Sequence, residues 1–370
     1  MTVGKTLTKR TQIDTELYPN GFTPPLPDGM TLTDITKVFP KDVYHKNPVK
    51  AWGQVIFTTL SAVLSVYWLS VCPWYLLPLA WIFAGTTMTG MFVIAHDCGH
   101  LSFHKSHLIT DIVGIAMMTP LVYPFESWRI QHNLHHNNTN KLHVDNAWQP
   151  FQGDYYNNAP AWEQFIMRNI KGPFWWIASA GHQIQKHFFL DQFTPEQQPK
   201  VKISLACVYA FAAVFFPTMW YYTGVWGIVK FWVIPWVIYH FWMSTMTMIH
   251  HTLPHLPFLP EHKWSDAQAR LGLTVHCEFP MWVEWMTHHI NVHIPHHVST
   301  AIPSYNLRYA HNILKKHFSQ YMNETTFSWK LLKDITTTCH IYHEDLCYVP
   351  FEESEAKPNQ NAGQKKPKKL

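Results

Sequence analysis

Three short stretches of the 370-residue chain gather histidine: "HDCGH" at 96–100, "QHNLHH" at 131–136 and "HIPHH" at 293–297. On an α-helix, residues three and four apart share a face. His96 and His100 have the wider of these spacings, and His132, His135 and His136 combine both. Each set therefore points several imidazoles at one place. His293, His296 and His297 repeat the second pattern with Pro295 inside it. Proline is tolerated in the first turn of a helix but not in its interior. A helix is thus expected to begin near Pro295, with His293 just ahead of it. Imidazole suits iron, zinc, copper and nickel. Eight such ligands are too many for one tetrahedral zinc and suit two metal ions. A solitary histidine is more often a structural or surface residue, and His45, His107, His182, His187, His262, His311 and His317 are read that way.

These clusters must be positioned by elements of an unusual kind. Apolar residues make up 47% of the chain and charged residues 14%, well below the charged share of roughly 25% in soluble proteins. The mean hydropathy of −0.13 hides this because the apolar residues come in blocks. Residues 51–95 contain no Asp, Glu, Lys or Arg. A membrane-spanning helix needs about 20 apolar residues, so two spans are expected near 54–71 and 74–95, with Pro73 at the turn. Residues 203–249 are interrupted only by Lys230 and His240. They read as spans near 203–222 and 226–248, divided around Gly224. The alternative, a soluble protein with two buried helical hairpins, leaves such long uncharged runs without a use. The apolar stretch 112–125 is too short to span and carries Pro120 and Pro124, which suits a re-entrant or interfacial helix.

Two hairpins would place the N-terminus, residues 96–200 and residues 250–370 on one side, together with all three histidine clusters. Lys37, Lys41, Lys46, Lys50, Lys105, Arg129, Lys141, Arg168 and Lys171 fall on that side and the short turns carry no cation, which marks it as cytosolic. The fold class expected is all-α: a polytopic membrane protein of four transmembrane helices in two hairpins, with a cytosolic helical cap. The domains expected are a cytosolic segment at 1–50, a membrane domain at 51–350 and a disordered basic tail at 351–370. "TLTDITKVF" reads as a short capped helix ending at Pro40. The first 50 residues show no apolar signal segment. The six cysteines form no CxxC pair and read as reduced structural thiols. The net charge of +4 names no partner, and no nucleic-acid partner is expected.

Membrane transporters of zinc and copper set their ligands within the spans, with acidic partners at mid-depth. Here the spans are nearly free of ionisable groups. A bis-histidine haem needs two facing histidines in the bilayer, and His240 stands alone there. A pair of irons at the membrane edge, beside an apolar interior, implies oxygen chemistry on a lipid chain.

At this point the residues resemble a known family, the membrane fatty acid desaturases. That family's pattern is HxxxH, HxxHH and HxxHH, with a hairpin before the third box. "SWRIQHNLHHNNTN", "WGIVKFWVIPWVIYHFWMST" and "HINVHIPHHVSTAIPSYNLR" look like acyl-lipid Δ12 (omega-6) desaturases of cyanobacterial and plastid type. The likeness covers roughly residues 31–345. It implies a cis double bond placed in a lipid-linked acyl chain, most like oleoyl to linoleoyl. Two iron ions (Fe2+/Fe3+), O2 as co-substrate and two electrons would be required. It implies His96, His100, His132, His135, His136, His293, His296 and His297 as catalytic metal ligands. A ninth ligand is implied at the end of the fourth span, where His251 fits best and His250 is the runner-up. Asp97, Asp145 and Asn291 lie beside the boxes, either to orient imidazole N–H groups or as simple caps. No HPGG-type cytochrome b5 module is visible, so electrons are expected from a separate protein, ferredoxin by the plastid likeness, with cytochrome b5 as the alternative. A bacterial inner or thylakoid membrane is implied, with the site on the cytosolic or stromal-equivalent side. Related readings are a diiron hydroxylase, epoxygenase or carotenoid ketolase; a metal transporter is a more distant one.

Overall fold

The computed structural model describes residues 14–21 and 23–355. The short helix α1 (Leu32–Thr36) begins at a capping box made by Thr31 and Asp34 and stops earlier than Pro40. Helix α2 (Pro48–Val71) starts where the Asn47 side chain accepts from the Val49 and Lys50 N–H groups. It ends before Pro73, which cannot continue it. Helix α3 (Leu77–Gly99) returns and is the centre of the molecule, packing on α2, α4 (His107–Met118) and the later helix α10. Beyond α4 and a 3-10 turn, α5 (Phe125–Asn137) leaves at a bend of 101°. Helices α6 (Gly153–Asn158), α7 (Ala161–Lys171) and α8 (Ala178–His187) follow before the second apolar block.

That block forms α9 (Gln198–Ile228), a π-turn (Val229–Val233) and α10 (Ile234–His251). Gly224 breaks it with φ 65° and ψ −172°, a conformation open to glycine and strained for other residues. The Phe216 and Trp232 ring centroids lie 4.9 Å apart. On an unbroken helix sixteen residues would span about 24 Å, so the chain reverses at Gly224. Among the described residues, three helical stretches are long and apolar enough to cross a membrane: Pro48–Val71, Trp74–Gly99 and Gln198–His251. These helices start and stop a few residues away from the limits expected of the spans, because of capping by Asn47 and continuation to Gly99 and His251.

The fold is mostly helical, as expected, and the C-terminal part adds a little sheet. Strand β1 (Val275–Glu278) pairs in parallel with β2 (Asn323–Thr326), and β3 (Ile341–His343) pairs antiparallel with β4 (Cys347–Val349). Strands of three or four residues are too short to show an alternating pattern. Around them lie α11 (Met281–Met286), α12 (His293–Val298), α13 (Leu307–Phe318), α14 (Trp329–Thr338) and α15 (Phe351–Glu355). Helix α12 begins at His293, two residues earlier than expected; Pro295 still falls in its first turn, where the missing N–H has no partner to lose. The first five residues of the expected tail are the helix α15, and the rest of that tail lies outside the described residues. Cys72, Cys98, Cys207, Cys277 and Cys347 are free thiols.

Candidate metal centre

Four separated parts of the chain deliver the imidazoles. The last turn of α3 and the residue after it carry His96 and His100; α5 carries His132, His135 and His136. The end of α10 carries His251, and α12 carries His293, His296 and His297. One ligand atom each from His96, His100, His132, His136 and His296 lie within 4.8 Å of one another, and so do those of His135, His251 and His297. His293 joins the second set, its Nε2 lying 3.1 Å from that of His251 and 3.0 Å from that of His297. All nine histidines singled out in the sequence therefore converge, in two adjacent groups. His250 is in neither; its ring stacks on His293 at 4.0 Å.

The spacing tests whether metal ions fit. Nε2 atoms stand 3.0 Å apart for His132 and His136, 3.0 Å for His136 and His296, and 3.2 Å for His135 and His251. Two nitrogens each about 2.1 Å from one ion, at right angles, are about 3 Å apart. The proton inventory agrees. His135 Nδ1 lies 2.7 Å from the Asp145 carboxylate, His297 Nδ1 3.1 Å from the Thr139 hydroxyl, and His293 Nδ1 3.3 Å from the Ile290 carbonyl. Each of these partners takes the ring proton at Nδ1 and leaves a bare lone pair at Nε2. The lone pairs of His135 and His293 then face His251, whose single N–H satisfies at most one, and that of His297 faces the bare Nε2 of His293. Both ring nitrogens of His96, and Nε2 of His100, are buried without a hydrogen-bond partner. A cation resolves both the crowded lone pairs and the orphaned nitrogens. Burial, followed by neighbouring histidines, holds His293, His296 and His297 well below the usual imidazole range. They stay neutral, which is the ligand form.

Of the three polar residues expected to orient the cage, Asp145 alone hydrogen-bonds a box imidazole. The Asn140 and Ala147 N–H groups hold its two oxygens at 2.7 and 2.9 Å. Asp97 instead accepts from the Ser304 N–H at 2.9 Å, tying α3 to the loop after α12. Asn291 donates to the Cys277 carbonyl at 3.0 Å and fastens the chain just before α12 to β1. Sequence reasoning missed Thr139, which lies three residues beyond His136 and serves His297 from another segment. It also missed Trp128, whose indole stacks on His132 at 4.5 Å. The i, i+4 spacing of Trp128 and His132 was the available signal. Gly99 makes room for that indole, since a Cβ there would lie 2.6 Å from the ring.

A cavity of about 580 Å³ opens beside the cage. Its wall includes His132, His135, His251 and His293 on the metal side and Tyr123, Trp128, Ala178, Ile184 and Met243 on the apolar side. His182, read from sequence as structural, lines this cavity too, as does Lys171. Burial pushes the Lys171 amine down to about 7, and its Nζ donates to the Trp148 carbonyl at 2.8 Å.

Imidazoles able to hold two ions, set against an apolar chamber, match a known family. The fatty acid desaturase family model covers residues 72–328. The chain belongs to the fatty acid desaturase family. It is 49% identical over 327 residues to a chloroplastic omega-6 fatty acid desaturase of Brassica napus, covering 88% of this chain and 74% of the relative. It is 47% identical over 333 residues to an sn-1 oleoyl-lipid 12-desaturase of Synechocystis, covering 89% and 95%. A 12-desaturase of Anabaena variabilis is 48% identical over 330 residues. This desaturase is therefore an oxidoreductase of lipid metabolism, and its long apolar helices make it a membrane protein.

Proposed function

We propose that the chain is an acyl-lipid Δ12 desaturase that converts an oleoyl to a linoleoyl chain. The observation that carries this reading is the cage of nine histidines opening onto an apolar cavity; the names of the relatives supply the position of attack. In the balanced reaction, –CH2–CH2– plus O2, two electrons and two protons gives cis –CH=CH– and two H2O. His96, His100, His132, His136 and His296 would hold one iron, and His135, His251, His293 and His297 the other. When bound, the irons supply the means to activate O2 and remove hydrogen from an unactivated C–H bond. The protein's own work is placement. Trp128, Ala178, Ile184 and Met243 exclude water and hold the acyl chain along the cage. Asp145 and Thr139 fix the tautomers of His135 and His297.

The reading includes four spans in two hairpins, with the reversal at Gly224 separating the third from the fourth. Trp74 and Tyr75 at one turn and Tyr221 and Tyr222 at the other are all exposed. Both turns carry the aromatic side chains favoured at a membrane surface. The cage and the basic residues then share the cytosolic or stromal face, and reducing equivalents come from ferredoxin. Expression in a host that makes oleate, followed by gas chromatography of its lipids, tests the proposal. Linoleate should appear with the wild-type chain and not with His296→Ala. Unchanged lipids in both would refute it, and a product heavier by one oxygen would indicate hydroxylation instead.

A further inference from the structure

One side of the cage faces the substrate cavity through His132, His135, His251 and His293. His297 is not part of that wall, and a different set of contacts leads away from it. Its Nδ1 lies 3.1 Å from the Thr139 hydroxyl, which in turn reaches the His135 carbonyl at 3.1 Å. A hydroxyl has one proton to give, so Thr139 donates to the carbonyl and accepts from His297. The Thr139 backbone carbonyl accepts from the Trp264 indole Nε1 at 2.9 Å. Thr139 and His297 are fully buried, whereas Trp264 is partly exposed between the exposed residues Lys263 and Ser265. The Lys141 ammonium sits 4.7 Å over the Trp264 ring and pairs with the exposed Glu261 at 2.6 Å. An aromatic ring at the surface is thus joined to a cage imidazole by two hydrogen bonds and one residue.

Electrons couple more strongly through bonds and hydrogen bonds than across gaps. A reductant must also approach without displacing the acyl chain. We propose that Trp264 is the residue through which electrons enter the cage, by way of Thr139 and His297, from an iron–sulfur carrier protein that touches the surface at Trp264. The inference rests on the diiron desaturase reading. In each encounter the reduced carrier loses one electron and one metal ion gains it; two encounters supply the two electrons of one turnover. No bond is made or broken in the relay and no proton leaves Trp264, whose ring bridges donor and acceptor without being oxidised.

The test uses the full-length enzyme, loaded with iron and held in lipid nanodiscs. Anaerobic reduction is followed by stopped-flow absorbance of the ferric centre, driven either by reduced plant-type ferredoxin or by dithionite. Iron per chain is measured by plasma mass spectrometry. Trp264→Leu is expected to slow ferredoxin-driven reduction at least tenfold, with iron content and the dithionite rate unchanged. Trp264→Phe keeps a ring but loses the indole N–H, and should slow it severalfold. Wild-type ferredoxin rates in both variants would overturn the inference. So would loss of iron in both, because Trp264 would then be a support of the cage. A wild-type enzyme that accepts electrons but alters no lipid would refute the desaturase reading and leave the Trp264 comparison intact, since reduction is read at the metal.

Discussion

Asp145→Asn is the sharpest probe of the cage, because it changes charge and acceptor count with almost no change in shape. The buried carboxylate accepts three hydrogen bonds: from His135 Nδ1 at 2.7 Å and Ala147 N at 2.9 Å on one oxygen, and from Asn140 N at 2.7 Å on the other. An amide has one accepting oxygen. Placed toward His135 and Ala147, it turns its NH2 group against the Asn140 N–H, leaving a buried donor facing a donor, which costs about 1–3 kcal/mol. The bonds that survive lose their charge assistance, falling from about 1.5–3 to about 1 kcal/mol each. The opposite flip leaves two donors unmet and is worse. At the cage, weaker anchoring of His135 frees the ring to rotate. Loss of such an orienting partner typically costs 10–100-fold in metal affinity or activity. The assay is iron retained per chain across a chelator series, read with desaturation rate and melting temperature. Asp145→Asn should lose iron at chelator concentrations at least tenfold lower than wild type and melt several degrees earlier. Iron retention and rates equal to wild type would refute the assignment of Asp145 as the anchor of His135.

Two other perturbations separate chemistry from scaffold. Ala178→Phe puts a ring into the cavity wall; iron per chain should be unchanged while activity on C18 lipid falls at least tenfold, as shown by metal analysis beside gas chromatography. Burial pushes the Glu284 carboxyl up, but hydrogen bonds from His289 and Arg308 outweigh it and hold it at about 2, below its ordinary 4.5. A carboxylate depressed in the folded state contributes stability above its unfolded pKa and loses it as pH falls toward the folded value. The melting temperature should therefore fall between about pH 4.5 and 2, and Glu284→Gln should be less stable at neutral pH with a flatter acid limb.

The imidazoles were legible because helical spacing alone brings His132, His135 and His136 together, and because long uncharged runs have few uses outside a membrane. His251 was preferred to His250 by likeness to the family; in the structure the two side chains leave the end of α10 in different directions, one into the cage and one onto the face of His293. What escaped the sequence is what depends on segments far apart in the chain. Thr139 meets His297, and Trp264 meets Thr139, only after folding. Asp97 sits beside His96 in sequence, yet its carboxylate goes to the Ser304 backbone more than two hundred residues later. Adjacency along the chain says nothing about which way a side chain turns at a helix end. The strands escaped for a different reason: β1 and β2 are held by pairing with each other, and their short sequences carry no period of their own.

The cage is assembled from residues as distant as His96 and His297, with α12 as the last contributor. A chain still emerging from the ribosome has the first two boxes and neither His251 nor α12, so it lacks a complete pocket for either ion. A metal ion could consequently meet its full set of ligands only after α12 is in place, and a bound ion would then tie together the four segments that supply them. A chain deprived of that metal should hold α12 less tightly against α3, α5 and α10, which hydrogen exchange of the metal-loaded and metal-free protein would show.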